Sequence, residues 1–270
     1  MLFRSALDAL EEHWERATVD AEWSGSAARL VTTNVAALTL DLPPGTAVTI
    51  DGAALKGGPG PLSFAKQGGR WTRATTTANT FPPPKQHGLQ GPIDDAFMEP
   101  FVLVEPTGSP MNADVGAWAT AEFADAKRQW RLQFRGEPRV KKDREITPAD
   151  IADANLILFG DPKSNSLIAR IADKLPIKWS STISAGGKSF PAKSHVPVLV
   201  YPNPLNPKRY VVINSGFTFA EVGGQSNSQQ TPKLPDWAVI DISVPRADRL
   251  LKGVAAADFF DEQWRIPLGK

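Results

Sequence analysis

The sequence predicts an α/β protein with two parts. A small all-β unit is expected over residues 1–84. A three-layer α/β/α domain of the Rossmann or flavodoxin type, with a mixed, mainly parallel sheet, is expected over residues 85–270. Short alternating runs between Gly and Pro turns predict the β unit. Apolar runs that alternate with helical patterns over residues 101–175 predict the second domain, because this succession implies right-handed crossovers between parallel strands.

The N-terminal unit begins with a helical pattern over Ala6–Arg16. Met1–Ser5 allow two readings: the natural start of this helix, or an artefact in a truncated reading frame, since Leu2 to Ser5 match one translation of a common sequencing adapter. Four short strands are expected between residues 17 and 80, and such a thin sandwich has little core, so the unit is predicted to be incomplete. The expected interior consists of Leu38, Leu40, Val48, Ile50, Leu55, Phe64 and Trp71.

The second domain follows a stiff proline-rich linker at Phe81–Lys85. Thr147 and Pro148 form a helix start, as cap and first helical residue. Strands are expected at Phe101–Val104, Arg139–Asp143, Leu156–Phe159, Val196–Tyr201, Arg209–Ile213 and, last, Trp237–Ile242. Helices are expected over Ala113–Phe134, from Pro148 and over Leu167–Leu175, a hairpin around Gly186-Gly187, and a rigid exposed loop over residues 202–207.

Composition excludes several classes of protein. The formal net charge of +1 provides no basic field for nucleic acid, so no nucleic-acid partner is expected. The absence of cysteine excludes disulfides, thiol catalysis and cysteine metal sites, and leaves the cellular compartment open. No uninterrupted apolar run reaches the length of a membrane span, and residues 1–30 lack the pattern of a signal peptide.

Polar residues follow three of the predicted strands, and neighbouring parallel strands would bring them to one crevice. At this crevice the N-terminus of the helix predicted over Leu167–Leu175 would attract an anion, whereas Asp161 would repel it. A polar uncharged ligand therefore fits the crevice as well as an anion does. Ser164 or Asn165 can cap the helix, and a capped turn without a ligand is the alternative. The candidate ligand-binding residues are Thr107, Gly108, Gly160, Asp161, Ser164, Asn165, Asn214 and Ser215.

Catalytic and metal-binding patterns are weak. The sequence lacks Gly-x-Ser-x-Gly, and Asn214-Ser215-Gly216 lacks the flanking glycine of a nucleophile elbow. The histidines, His13, His87 and His195, are far apart in sequence. No histidine or carboxylate cluster has metal-ligand spacing. We therefore predict no catalytic residue, no metal and no cofactor, although a flavin or nucleotide protein of the flavodoxin type is a weaker alternative.

Five segments carry a resemblance to a known family: Leu10–Ala17, Lys85–Phe97, Asn155–Asn165, Tyr201–Gly216 and Phe259–Trp264. Together they resemble the C-terminal region of large bacterial serine hydrolases of the prolyl-oligopeptidase-like type. The resemblance extends from about Leu7 to Trp264. In that family an α/β-hydrolase domain with the catalytic serine, acid and histidine precedes this region.

The resemblance implies an accessory role. The expected partner is an upstream α/β-hydrolase domain of the same longer protein, with a peptide or ester as the substrate. The module would bind substrate, cover the active site or hold subunits together, and it could be exported within a longer precursor. An exposed apolar patch is then expected on residues 6–80, where the partner is missing. The alternative is a self-sufficient small-molecule binding module that uses the predicted crevice.

Overall fold

The computed structural model describes residues 4–12, 15–58, 60–74, 81–219, 232–245 and 252–267. Its contacts divide the chain into two compact units. Unit 1 consists of Met1–Thr80 and Pro84–His87, and unit 2 of Phe81–Pro83 and Gly88–Lys270. His13 and the first three residues lie outside the described residues.

Unit 1 is built from two four-stranded sheets. Its strands are β1 (Arg4–Leu10), β2 (Thr18–Trp23), β3 (Ala27–Thr33), β4 (Val35–Asp41), β5 (Ala47–Ile50), β6 (Ala53–Leu55), β7 (Leu62–Gln67) and β8 (Arg70–Arg73). One sheet has the order β1-β4-β7-β8 and the other β2-β3-β5-β6. All pairs are antiparallel except β3 and β5.

One apolar core joins both sheets of unit 1, because alternate residues of β3, β4, β5 and β7 point inward. Six of the seven residues predicted to be interior are buried, and Leu55 is half-buried. The helix predicted over Ala6–Arg16 is wrong: β1 pairs with β4 there, for example Leu7 with Leu38. Pairing with a neighbouring strand overrides the helical period of the sequence, since tertiary contacts outweigh local propensity.

Unit 2 is organised around a seven-stranded sheet and a smaller three-stranded one. Their strands are β9 (Phe101–Glu105), β10 (Val140–Lys142), β11 (Asn155–Leu158), β12 (Lys178–Trp179), β13 (Thr182–Ala185), β14 (Lys188–Pro191), β15 (His195–Asn203), β16 (Asn206–Ile213), β17 (Trp237–Asp241) and β18 (Val254–Asp258). The large sheet has the order β10-β9-β11-β16-β15-β17-β18, and β12-β13-β14 form the small one. The predicted hairpin around Gly186-Gly187 is confirmed as β13 and β14.

In the described part of the chain, unit 2 contains the helices α1 (Ala113–Phe134), α2 (Pro148–Asp153) and α3 (Ser166–Ile171), with 3₁₀ turns at Ile93–Phe97, Asp143–Glu145 and Ala172–Lys174. The predicted bounds of α1 are confirmed. Thr147 caps α2 and Pro148 is its first residue, also as predicted. Both signals are local, because a cap satisfies backbone N–H groups within the same turn.

The predicted three-layer fold class is wrong. Of the residues that the structure describes, 40% lie in strands and 19% in helices, arranged around four mixed or antiparallel sheets. β9, β10, β11 and β16 are parallel, but β15, β17 and β18 each run antiparallel to a neighbour. Both α2 and α3 have only six residues, and the small sheet follows α3, where a third layer would need another long helix.

Two further predictions fail near the end of the chain. Residues 202–207 are a tight connection within the β15–β16 hairpin, and Pro202 and Asn203 are buried. β17 is not the last strand, because β18 follows it and pairs with it. The aromatic segment after β18 packs inward: Phe260 and Trp264 are 1% exposed, and the Trp264 ring lies 5.8 Å from that of Tyr201.

Candidate functional site

The candidate residues lie at one edge of the large sheet. β11 is parallel to both β9 and β16, so the carboxyl ends of the three strands are neighbours. We call the set Thr107, Gly108, Gly160, Asp161, Ser164, Asn165, Asn214 and Ser215 the carboxyl edge. The crossovers and strand neighbours that the sequence implied do bring these loops together. Their side chains, however, bond mainly to one another and to the backbone.

Asp161 is the centre of this arrangement and is fully buried. Its Oδ1 accepts hydrogen bonds from the backbone N–H of Lys163 (2.8 Å) and of Ser164 (2.9 Å). Its Oδ2 accepts one from the N–H of Met111, 2.8 Å away, just before α1. The carboxylate therefore ties the loop after β11 to the loop after β9, and both of its oxygens have donors.

Asn214 holds the loop after β11 from the other side. Its Oδ1 accepts the N–H of Gly160 at 2.8 Å, and its Nδ2 donates to the Gly160 carbonyl at 2.9 Å. Gly160 has a φ of +104°, and an added Cβ would lie 2.5 Å from the Ser164 Oγ. The turn therefore requires glycine both for its backbone conformation and for the close approach of Ser164.

Ser164 and Asn165 act as structural polar groups in the same loop. The N–H of Asp161 donates to the Ser164 Oγ at 2.8 Å, and the Ser164 carbonyl accepts the N–H of Gly108 at 2.8 Å. Asn165 is fully buried; its Oδ1 accepts from Leu167 and Ile168, and its Nδ2 donates to the Phe159 carbonyl. The predicted cap of α3 is thus Asn165.

Thr107 and Ser215 stand at the two ends of the carboxyl edge. Thr107 is exposed, and its hydroxyl forms a hydrogen bond with the buried Asp143 carboxylate. Burial opposes the charge of Asp143, but hydrogen bonds from Ser166 and Thr107 outweigh this effect and lower the pKa of Asp143. Ser215 is 4% exposed and its hydroxyl donates to the Gly216 carbonyl at 2.7 Å.

A small apolar pocket lies beside the loop after β11. It is lined by Pro162, Ile168, Ala172, Leu175, Ile177, Trp179, Pro197, Leu199 and Ile213. Only about 10 Å³ of it is open to the centre of a water-sized molecule, far below the roughly 300 Å³ of a small-molecule site. None of the eight carboxyl-edge residues lines it.

The sequence did not indicate that His195 lies at the same edge. β15 is antiparallel to β16, so its start lies near the end of β16, and His195 opposes Asp241 of β17. The Ser194 Oγ lies 3.0 Å from the His195 Nδ1. The Pro191 carbonyl lies 3.2 Å from the same nitrogen. The strand order of the sheet is what places His195 near the end of β16, and the sequence alone does not contain that order.

The chemistry of Ser194 and His195 is limited by their hydrogen bonds. A carbonyl can only accept, so the Pro191 contact favours the tautomer in which Nδ1 carries the proton. That tautomer cannot take a proton from the Ser194 hydroxyl through Nδ1. A hydrogen bond from Ser243 and the nearby His195 lower the pKa of Asp241. The group is therefore arranged as a strand-end hydrogen-bond cluster.

Searches for other kinds of site within the described part of the chain gave negative results. No cluster of three or more His, Asp or Glu side chains there could hold a metal ion. The helices in that part include none that is both long and apolar enough to cross a membrane.

Comparison with known proteins adds no relative. No family model matches the chain, and no curated protein or solved structure matches it.

Proposed function

We propose that this chain is an accessory, non-catalytic module of a serine hydrolase of the prolyl-oligopeptidase-like type. It would act by binding substrate, covering an active site or holding an assembly together. The observation that carries the non-catalytic part is Ser215: its hydroxyl is buried and donates to the neighbouring Gly216 carbonyl. A serine nucleophile needs an exposed hydroxyl that a base can deprotonate.

The hydrogen bonding of the carboxyl edge supports the same reading. Both oxygens of Asp161 and both side-chain ends of Asn165 and Asn214 are occupied by the protein itself. A ligand would have to displace these bonds, at a cost that buried polar groups make large. The alternative of a stand-alone binding module at this edge stays a prediction. The link to the hydrolase family rests on the five resembling segments.

The exposed patch expected on residues 6–80 is not found in the described part of unit 1. Its exposed large apolar side chains are Leu7 (45%) and Val31 (53%), which lie in different sheets. A partner that covers unit 1 would therefore contact a mainly polar surface.

The test is turnover of activated esters and short peptides by the whole chain. We expect hydrolysis of p-nitrophenyl acetate no faster than with an equal mass of serum albumin, and no change in Ser215→Ala or His195→Ala. Ser194→Ala removes the hydroxyl that contacts His195 and should also leave the rate unchanged. A rate well above albumin that disappears in any one of these variants would refute the non-catalytic proposal.

A further inference from the structure

The strongest charge asymmetry of the chain lies where α1 ends and β10 runs along the sheet edge. Residues 127–144 contain eight Lys or Arg and two Asp or Glu, out of 30 and 29 in the whole chain. The other residues therefore have 22 basic and 27 acidic side chains, an acidic balance. The eight cations are Lys127, Arg128, Arg131, Arg135, Arg139, Lys141, Lys142 and Arg144. We call residues 127–144 the basic surface.

Exposed apolar side chains accompany these cations. Leu132 is 56% exposed, Phe134 48% and Val140 39%, and all three lie within the basic surface. Large exposed apolar side chains are otherwise few in the described part of unit 2: Phe81 and Met98. Exposed apolar side chains among cations are typical of interaction surfaces, where burial of the apolar groups supplies affinity and the charges supply selectivity.

The basic surface is held in place from below. Trp130 packs edge-on against Phe101, with ring centroids 4.7 Å apart, and lies 4.2 Å from Phe134. Arg131 bonds both oxygens of Glu137, at 2.7 and 2.8 Å, and so ties the end of α1 to the following loop. Arg139 and Lys141 both bond the buried Asp150. The surface is thus preorganised, which reduces the entropy lost on binding.

We propose that the basic surface binds an acid-rich surface of a partner protein, with the exposed Leu132 covered by the partner. Five of its eight cations are arginines, which bind carboxylates bidentately and are enriched at protein interfaces. The inference rests on this surface alone, so it can stand or fall independently of the hydrolase assignment.

Other anionic partners fit the surface less well. The aromatic rings of Trp130 and Phe134 pack against other rings of unit 2, so they are poorly placed to insert into a lipid bilayer or stack on bases. Glu137 is 69% exposed among the cations, and an anionic membrane or a phosphate backbone would repel it. A partner protein differs from these two, because it can place a single basic side chain opposite Glu137 within an otherwise acidic surface.

The test uses defined probes because the partner is not identified. Fluorescence anisotropy would compare a labelled 16-residue peptide of Glu and Leu with a 20-base-pair DNA duplex. Sedimentation with vesicles of phosphatidylcholine and phosphatidylserine would measure membrane binding. We expect the peptide to bind most tightly, and Arg135→Glu/Lys142→Glu/Arg144→Glu to weaken its binding about tenfold or more.

A matched control separates the surface from net charge. Lys188→Glu/Lys193→Glu/Lys208→Glu changes the charge equally at exposed positions elsewhere in unit 2, and it should weaken peptide binding less than about threefold. Equal losses in both triple variants would show that only net charge matters, and would overturn the proposal. Tighter binding of DNA or vesicles than of the peptide would overturn the choice of partner.

The contribution of Leu132 is tested with the charges intact. At about 0.5 M salt the ionic attraction is strongly screened, so the remaining peptide affinity should depend on buried apolar area. Leu132→Ala should then reduce it about threefold, and its unfolding curve should match that of the unmodified chain because Leu132 is exposed. An unchanged affinity in Leu132→Ala would refute the proposed role of Leu132.

Discussion

Replacement of Asp161 by alanine tests whether the carboxyl edge is a structural tie. The change removes three hydrogen bonds from backbone N–H groups, those of Met111, Lys163 and Ser164. It also leaves a cavity at a fully buried position. Both effects act on the folded state alone, so the free energy of unfolding should fall.

The magnitude follows from the number and burial of the donors. Hydrogen bonds to a charged acceptor contribute about 1.5–3 kcal/mol each. The Ser164 N–H is buried, whereas the bonds from Met111 and Lys163 are only partly buried, so water can replace some of the lost interaction. We therefore expect a loss of about 3–4 kcal/mol, or about 10 °C in the melting temperature of unit 2.

Urea denaturation and thermal unfolding followed by circular dichroism would measure this loss. Asp161→Asn keeps an oxygen for Lys163 and Ser164 but turns an amide donor toward Met111, so it should lose about half as much. Asp173→Ala, at an exposed position, is the control and should change stability by less than about 0.5 kcal/mol. A loss below about 1 kcal/mol in Asp161→Ala would refute the structural reading and favour a ligand-binding role.

Two further predictions concern the backbone and pH. Gly160→Ala should lower the free energy of unfolding by about 2–3 kcal/mol, because Gly160 has a φ of +104° and an added Cβ would meet Ser164. Gly187→Ala, at φ +72° with open space around it, should lower it by only about 1 kcal/mol. Equal losses in urea denaturation would contradict the steric argument. Burial opposes the charge of Asp150, but bonds from Lys141 and Thr147 outweigh it and lower its pKa below the ordinary 3.8. Asp150→Asn should therefore cost about 2 kcal/mol at pH 7, and this difference should shrink as the pH falls below about 3.8, where the unfolded chain binds the proton first. Thermal unfolding between pH 2 and 7 measures it, and a difference that does not change with pH would be the contrary result.

Much of the local structure of unit 2 could be predicted because its signals are local. Thr147 and Pro148 start α2 through contacts within one turn, and the period of apolar residues defines α1. The short apolar run of β11 is buried on both faces, as its composition indicates. Such signals act within a few residues and need no knowledge of the rest of the chain.

The architecture could not be predicted in the same way. An apolar run does not specify the direction of its neighbour, so β15 and β17 were compatible with a mainly parallel sheet until their pairing was known. Ala6–Arg16 shows the same limit: its apolar residues have a helical period, but pairing with β4 makes its first part a strand. Strand pairing joins residues far apart in sequence, and its energy belongs to the assembled sheet.

The order of residues was enough to predict that polar loops follow three strands, and that Asn165 or Ser164 would cap α3. The role of those polar groups became visible once the packing of the loops was known. Asp161 bonds Met111 across 50 residues and Asn214 bonds Gly160 across 54, so these groups are buried and hydrogen-bonded within the protein. The physical reason is that buried polar groups must find partners, and which partners they find depends on the packing of loops that are distant in sequence.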